Sequence, residues 1–289
     1  MNKLIIIYGP TAVGKSAVAI ELAKRIDGEI ISADSMQIYK GLDVGTAKVK
    51  SEEMKGVKHH LIDFLDVSES FSVAQFKSMA EKIIDDIISR GKTPIVVGGT
   101  GLYIKALICN YDFGNLETNP CQKEELEKLS CEQLKSKILE IDNNIKIDVL
   151  NKRRLIRQYL LLSSGKVASK TAPLYPYKLF CLVDSREKIY DRINKRVESM
   201  IEDGIIDEAK YLFSVADAKD LSAKAIGYKE FLPYILGEKS LEECKNILKQ
   251  KSRNYAKRQF TFLNQFDNYT LVQFDGIENT VNKIMENLW

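Results

Sequence analysis

The chain has 289 residues, of which 45% are hydrophobic and 29% charged, and its formal net charge is only +3. That length and apolar content suffice for one substantial core with room for a smaller appended unit. No apolar run approaches the roughly 20 residues that span a bilayer, and the short N-terminal apolar run meets Gly-Pro too soon for a secretory signal, so a cytoplasmic monomer is expected. Five widely spaced cysteines with no C-x-x-C pair exclude a disulfide framework and a zinc cluster.

The first apolar run, Leu4 to Ile7, reads as a buried parallel strand, and Lys15 to Arg25 as a helix with Val18, Leu22 and Ile26 on its inner face. Between them stands GPTAVGKS, Gly9, Pro10, Thr11, Ala12, Val13, Gly14, Lys15 and Ser16, which meets the full G-x-x-x-x-G-K-[ST] spacing. In this strand-loop-helix setting the loop binds a diphosphate or nucleotide. Backbone N–H groups cradle phosphate oxygens, Lys15 reaches the terminal phosphates and Ser16 holds Mg²⁺. GEIISAD supplies a second strand, followed by a polar loop to Lys48 at the carboxyl edge of the sheet, where ligands bind in open α/β folds.

His60 to Phe64 is expected as a third strand, Val73 to Ser89 as an amphipathic helix, and Pro94 to Val97 as a buried strand ending at Gly98-Gly99. From Asn115 to about Lys146 the pattern turns to short charged helices. Tyr177 to Val183 resumes as a strand, and the rest is helical apart from Tyr269 to Phe274. The order implies an α/β fold, a P-loop NTPase-like parallel sheet flanked by helices, with a small helical insertion domain. The expected boundaries are 1–115 and 173–289 for the catalytic core and 116–172 for the insertion.

Asp34 follows the second strand and should enter the same crevice as the phosphate loop. A carboxylate there is a second-shell Mg²⁺ ligand, a general base, or a turn-forming Asp. Thr100, after the strand ending Gly98-Gly99, should point into that crevice too, though glycines there also suit a plain strand-to-helix turn. His59 and His60 point to opposite sides of a strand and fit packing better than a metal site.

Charge is segregated along the chain. Asp112 to Asp148 holds nine acidic and five basic residues, whereas Val149 to Val183 holds seven basic residues and no acid. Within it, Arg153, Arg154 and Arg157 form a ridge on one helix with Leu155, Tyr159 and Leu162 inward, a pattern that suits a phosphate backbone. A second basic stretch, Lys245 to Arg258, interleaves Lys257 and Arg258 with Tyr255, Phe260 and Phe262.

Over nearly the whole chain these motifs resemble the tRNA dimethylallyltransferase (isopentenyltransferase) family. GPTAVGKS resembles its diphosphate loop and SADSMQIYKGLDVGTAK its second signature; HHLID, VGGTGLYIKAL, RRLIR, INKRVESMIEDG, AIGYKE and NYAKRQFTF follow in the family's order. The resemblance implies transfer of a five-carbon allylic group from dimethylallyl diphosphate to N6 of adenosine 37, just 3′ of the anticodon. It makes the tRNA anticodon stem-loop the partner, Mg²⁺ the cofactor and Asp34 the general base, with Lys15 and Thr100 completing the catalytic set. It also implies tRNA contact by Asp34, Ser35, Met36, Gln37 and Thr100, by Arg153, Arg154, Leu155, Ile156 and Arg157, and by Lys123 where an arginine is usual. The alternatives are prenylation of a free adenine nucleotide, which needs no long basic track, and a small-molecule kinase, for which no nucleoside signature accompanies the loop. Departures from the family pattern, IDVLNK before RRLIR, Phe262 for a tryptophan and Asn264 for an arginine, fall in the RNA-handling part.

Overall fold

The computed structural model describes residues 3–113, 120–145, 147, 151–165, 172–216 and 225–288, without the side chains of residues 120, 121 and 123. The chain runs β1 (Leu4–Tyr8), α1 (Lys15–Arg25), β2 (Gly28–Ser32), β3 (His59–His60), α2 (Val73–Ser89), β4 (Thr93–Gly98) and α3 (Gly101–Ile108). Then come α4 (Pro120–Lys128), α5 (Cys131–Ile141) and α6 (Lys152–Ser163). The chain continues through β5 (Tyr177–Val183), α7 (Arg186–Glu202), α8 (Ile205–Val215), α9 (Leu232–Ile235), α10 (Leu241–Phe262), β6 (Thr270–Gln273) and α11 (Ile277–Glu286). Two compact units result, one of Met1–Ile108 with Leu174–Trp289 and one of Cys109–Pro173.

In the first unit the described strands form one parallel sheet in the order β3-β2-β4-β1-β5-β6. β1 lies at its centre with Ile6 between Val96 and Leu179, and all five of its residues are buried, as a strand covered on both faces requires. One face packs Ile5, Ile7, Ile30, Ile95 and Phe180 against Val18 and Leu22 of α1 and Val281 and Ile284 of α11. Truncating Leu22, which is wholly buried, to alanine would cost about 2–5 kcal/mol. Ser72 starts α2 with a capping box: its hydroxyl accepts from the Gln75 N–H, and the Gln75 side chain accepts from the Ser72 N–H. Because the strands are parallel, their carboxyl ends share an edge, and the loops after β1, β2, β4 and β5 meet there.

The third strand is shorter than expected and earlier. Only His59 and His60 pair, with Ile30 and Ile31, because Leu61 (φ 56°) and Asp63 (φ 55°) turn left-handed and cannot continue a ladder. His60 bonds Glu29 at 2.8 Å, and Arg90 grips the same carboxylate at 2.5 and 2.8 Å, holding the Glu29 carboxyl down at about 2. The His59 ring bonds Val57 O. Both histidines therefore serve packing.

In the second unit Leu126 of α4, Leu134 and Ile138 of α5, and Leu155, Ile156 and Leu160 of α6 form a separate small core. Arg157 lies 4.9 Å over the Phe113 ring and donates to Phe113 O at 3.2 Å. Among the described residues no helix is long and apolar enough to cross a membrane, and Cys109, Cys131, Cys181 and Cys244 are free thiols.

Candidate active site

The loop from Gly9 to Gly14 joins the central strand to α1, so Lys15 and Ser16 open that helix where its N–H groups and dipole favour anions. Lys15 folds back over the loop and donates to Pro10 O at 2.7 Å. The Thr11 N–H is taken by Gln259 Oε1 at 2.7 Å, while Gln259 Nε2 donates to Gly99 O at 2.9 Å. One buried side chain from α10 thus ties the phosphate loop to the turn after β4. That turn needs glycine: a Cβ on Gly98 would lie 2.1 Å from Ala33 O, the backbone just before Asp34.

The loops enclose a cavity of about 630 Å³ bordered by Lys15, Ser16, Asp34, Gln37, Arg196 and Tyr255. A second cavity, about 370 Å³, is bordered by Asp34 again, with Ser35, Met36, Tyr255 and Arg258. Asp34 Oδ1 accepts the Met36 N–H at 2.9 Å, which orients the carboxylate between the two cavities. The turn-forming and chemical readings of Asp34 are therefore compatible, since one oxygen makes the turn.

Thr100 is placed differently from expectation. It borders neither cavity; its hydroxyl accepts the Ser35 N–H at 3.1 Å and bonds Tyr255, so it braces the strand-end loop behind Asp34 rather than entering the crevice.

Two arginines of α7 complete the electrostatics. Arg196 reaches Thr11 Oγ1 at 3.3 Å and borders both cavities. Arg192 donates to Ala12 O at 3.1 Å, pairs with the buried Asp184 after β5, and stacks 5.0 Å over Phe274. Burial pushes the Lys15 ammonium down to about 7; Asp34 opposes the shift and Arg196 reinforces it. The Lys15 side chain keeps some open surface toward the cavity although its ammonium is hemmed in by protein. Burial lowers Arg196 as well. Cations crowded into a poorly solvated cavity are relieved by a polyanion, so the site suits a diphosphate. Mg²⁺ takes oxygen donors and retains waters and phosphates, and the Ser16 hydroxyl and the Asp34 carboxylate, which border the same cavity, fit that habit. Among the described residues no cluster of three or more His, Cys, Asp or Glu offers an all-protein cage.

The sequence gives no role to Arg192, Arg196 or Gln259, and places Tyr255 only among the aromatics of the second basic stretch. A signal existed for the arginines: they stand four apart beside the buried stripe Ile189, Ile193 and Val197, so one helix face carries both toward the sheet edge.

The family described as "IPPT: IPP transferase" matches residues 37–266. The chain belongs to the IPP transferase family. A tRNA dimethylallyltransferase of Leuconostoc mesenteroides is 47% identical over 270 residues, spanning 91% of this chain and 90% of that relative. The crystal structure of the full-length tRNA isopentenylpyrophosphate transferase from Bacillus halodurans is similar with a TM-score of 0.77 at 42% identity, covering 100% of this chain and 97% of the other. A eukaryotic dimethylallyltransferase described as acting on tRNA aligns with a TM-score of 0.85 at 28% identity, over 99% of this chain and 80% of that one.

For an IPP transferase of this sequence, the residues expected to meet RNA separate into groups. Ser35 and Met36 border the second cavity and Gln37 the first. Arg153 and Arg154 are exposed, whereas Leu155 and Ile156 are buried in the core of the second unit, which withdraws their side chains from RNA contact. Arg157 is engaged by Phe113. The Lys123 side chain and Lys166 and Lys170 of the basic stretch lie outside the described residues. The second basic stretch is not an open track: Lys245 and Lys249 pair with Glu198, and Arg253 donates to Asn194 at 2.8 Å. Lys257 and Arg258 are exposed, with Arg258 5.6 Å over the Tyr255 ring at the second cavity.

Proposed function

We propose that the chain transfers the dimethylallyl group of dimethylallyl diphosphate to the exocyclic N6 amine of adenosine 37 in tRNA. The observation that carries this reading is Asp34, a carboxylate bordering both a cationic cavity at the phosphate loop and a second cavity edged by Tyr255 and Arg258. A diphosphate on one side and an adenine on the other would meet at that carboxylate. The adenine must leave its anticodon-loop stack to arrive there, a demand that single-stranded RNA meets readily.

In the transfer, N6 forms a bond to C1 of the allyl group while the C1–O bond breaks, and its electron pair leaves with pyrophosphate. The N6 proton passes to Asp34, a general-base task. Lys15 and Arg196 face the charge that grows on the departing pyrophosphate, so their attraction strengthens along the reaction. Ser16 would hold Mg²⁺, which when bound would supply further compensation of that charge. Tyr255 lends an aromatic wall to both cavities, and Gln259 keeps the phosphate loop in register with the Gly99 turn. Arg153, Arg154, Lys257 and Arg258 supply phosphate-backbone contacts.

The test is nucleoside mass spectrometry of unmodified tRNA after incubation with the protein, Mg²⁺ and dimethylallyl diphosphate, beside parallel incubations with AMP and ATP as acceptors. The reading predicts isopentenyladenosine at the position 3′ of the anticodon and unmodified mononucleotides. Prenylated AMP or ATP with unchanged tRNA would overturn it.

A further inference from the structure

The loop between Ser35 and Lys48 borders both cavities, yet it has little regular structure of its own to hold it. Its backbone turns successive N–H groups toward α8. There Glu208 Oε2 accepts from Asp43 N at 2.8 Å and from Val44 N at 2.9 Å, and Oε1 accepts from Gly45 N at 2.9 Å. The Tyr228 hydroxyl donates to the same Oε1 at 2.7 Å and meets the Thr46 N–H. Four consecutive backbone donors thus converge on one carboxylate and the phenol it orients, as an anion is held in a nest of N–H groups.

The fit is close. A Cβ on Gly45 would lie 2.5 Å from the Tyr228 ring, so no other residue lets the loop settle on that phenol. The loop also carries Thr46 and Ala47, whose carbonyls both accept from Gln37 Nε2 at 3.3 and 3.2 Å; Thr46 and Ala47 border both cavities and Gly45 borders the second. Lys48 is tied down separately by Tyr39 O at 2.7 Å, Asp43 at 2.5 Å and Asp63 at 2.6 Å.

We infer that Glu208 is a positioning residue for the acceptor: with Tyr228 it fixes the Asp43–Thr46 backbone, and through Gly45, Thr46 and Ala47 it sets the loop wall of the second cavity, where the incoming base would sit. The phosphate loop has its own anchors, Gln259, Arg192 and Arg196, so loss of the Glu208 anchor should fall on the acceptor more than on the diphosphate. The inference rests on the proposed transfer to tRNA for the identity of the acceptor, while the anchoring itself does not.

The experiment compares wild type with Glu208→Ala, Glu208→Gln and Tyr228→Phe. Amide hydrogen exchange of residues 43–46 reads the anchor, pyrophosphate titration reads the donor site, and the rate of transfer across tRNA concentrations reads the acceptor. Glu208→Ala should speed exchange of those amides and raise the tRNA concentration needed for half-maximal rate by about tenfold, with the saturated rate and the pyrophosphate affinity held within about threefold. Glu208→Gln, which keeps one acceptor oxygen, and Tyr228→Phe, which keeps the carboxylate, should fall between. Unchanged exchange at residues 43–46 overturns the anchor. Faster exchange with an unchanged tRNA requirement, or with pyrophosphate affinity lost in proportion, overturns the acceptor role. If wild type transfers nothing to tRNA, the proposed function fails on that result alone, and exchange at residues 43–46 still decides the anchor.

Discussion

Replacing Gln259 with leucine removes two hydrogen bonds from a side chain that is only 4% exposed and leaves nothing in their place. The Thr11 N–H, now 2.7 Å from Oε1, and the Gly99 carbonyl, now 2.9 Å from Nε2, would both lose their partner. A buried polar group left unpaired costs about 1–3 kcal/mol, so the two together should cost about 2–6 kcal/mol. Leucine is close to glutamine in volume, so little cavity cost adds to this. For a chain of this size each kcal/mol moves the midpoint by about 2–4 °C, and a fall of about 4–24 °C is expected. Because the orphaned N–H belongs to the phosphate loop, the stabilisation conferred by pyrophosphate should also shrink, which links the fold to the site. Calorimetry with and without pyrophosphate measures both. Gln259→Glu adds a pH signature: the ionised carboxylate opposes Gly99 O, while its protonated form can donate to it, so that variant should recover stability as pH falls. A leucine variant that melts within about 1 °C of wild type and gains as much from pyrophosphate would refute the reasoning.

Lys15 is held at about 7 by burial, so above that pH the empty site has lost its ammonium and pyrophosphate binding must restore the proton. Calorimetric titration at pH 8 in buffers of differing ionisation heat should show more proton uptake for wild type than for Lys15→Met, and equal uptake would contradict the assignment. The same depressed value has a stability consequence: between about pH 7 and the 10.5 of a free lysine the unfolded chain binds more protons, so Lys15 makes stability rise with pH, and Lys15→Met should flatten that rise. For RNA, Arg153→Ala and Arg154→Ala should each lower the slope of log affinity against log salt by about 0.7–0.9. Arg157→Ala should instead act mainly on stability of the second unit, because its guanidinium is spent on Phe113; filter binding across salt concentrations and thermal melts separate the two effects.

How far the fold could be read in advance depended on whether its determinants were local. α1, α2 and β5 have the bounds that their patterns predict, because the glycine loop before α1, the capping box at Ser72 and the apolar run from Leu179 to Val183 are local signals. β3 was misplaced because its end is decided by left-handed backbone at Leu61, where leucine gives no signal, and at Asp63, where aspartate is only enriched in that region. Lys15 and Asp34 were legible together, since parallel strands deliver the residues that follow them to one edge. Thr100 follows the same rule but is claimed by the Ser35 N–H, a contact made across 65 positions of sequence. Arg196, Tyr255 and Gln259 reach the site from helices far along the chain, and only tertiary packing brings them in. The basic run from Lys245 to Arg258 illustrates the opposite limit: composition counted its lysines, whereas Glu198 of another helix neutralises two of them.

Whether Asp34 takes the proton of the attacking amine is decided by the single-turnover rate of Asp34→Asn with tRNA and dimethylallyl diphosphate both saturating. The amide can still accept the Met36 N–H that makes the turn, so the loop should keep its shape and both substrates their affinity. The rate should fall by about 10²–10⁴, the range expected on loss of a general base. A rate equal to wild type would contradict it and leave Asp34 as a turn residue alone.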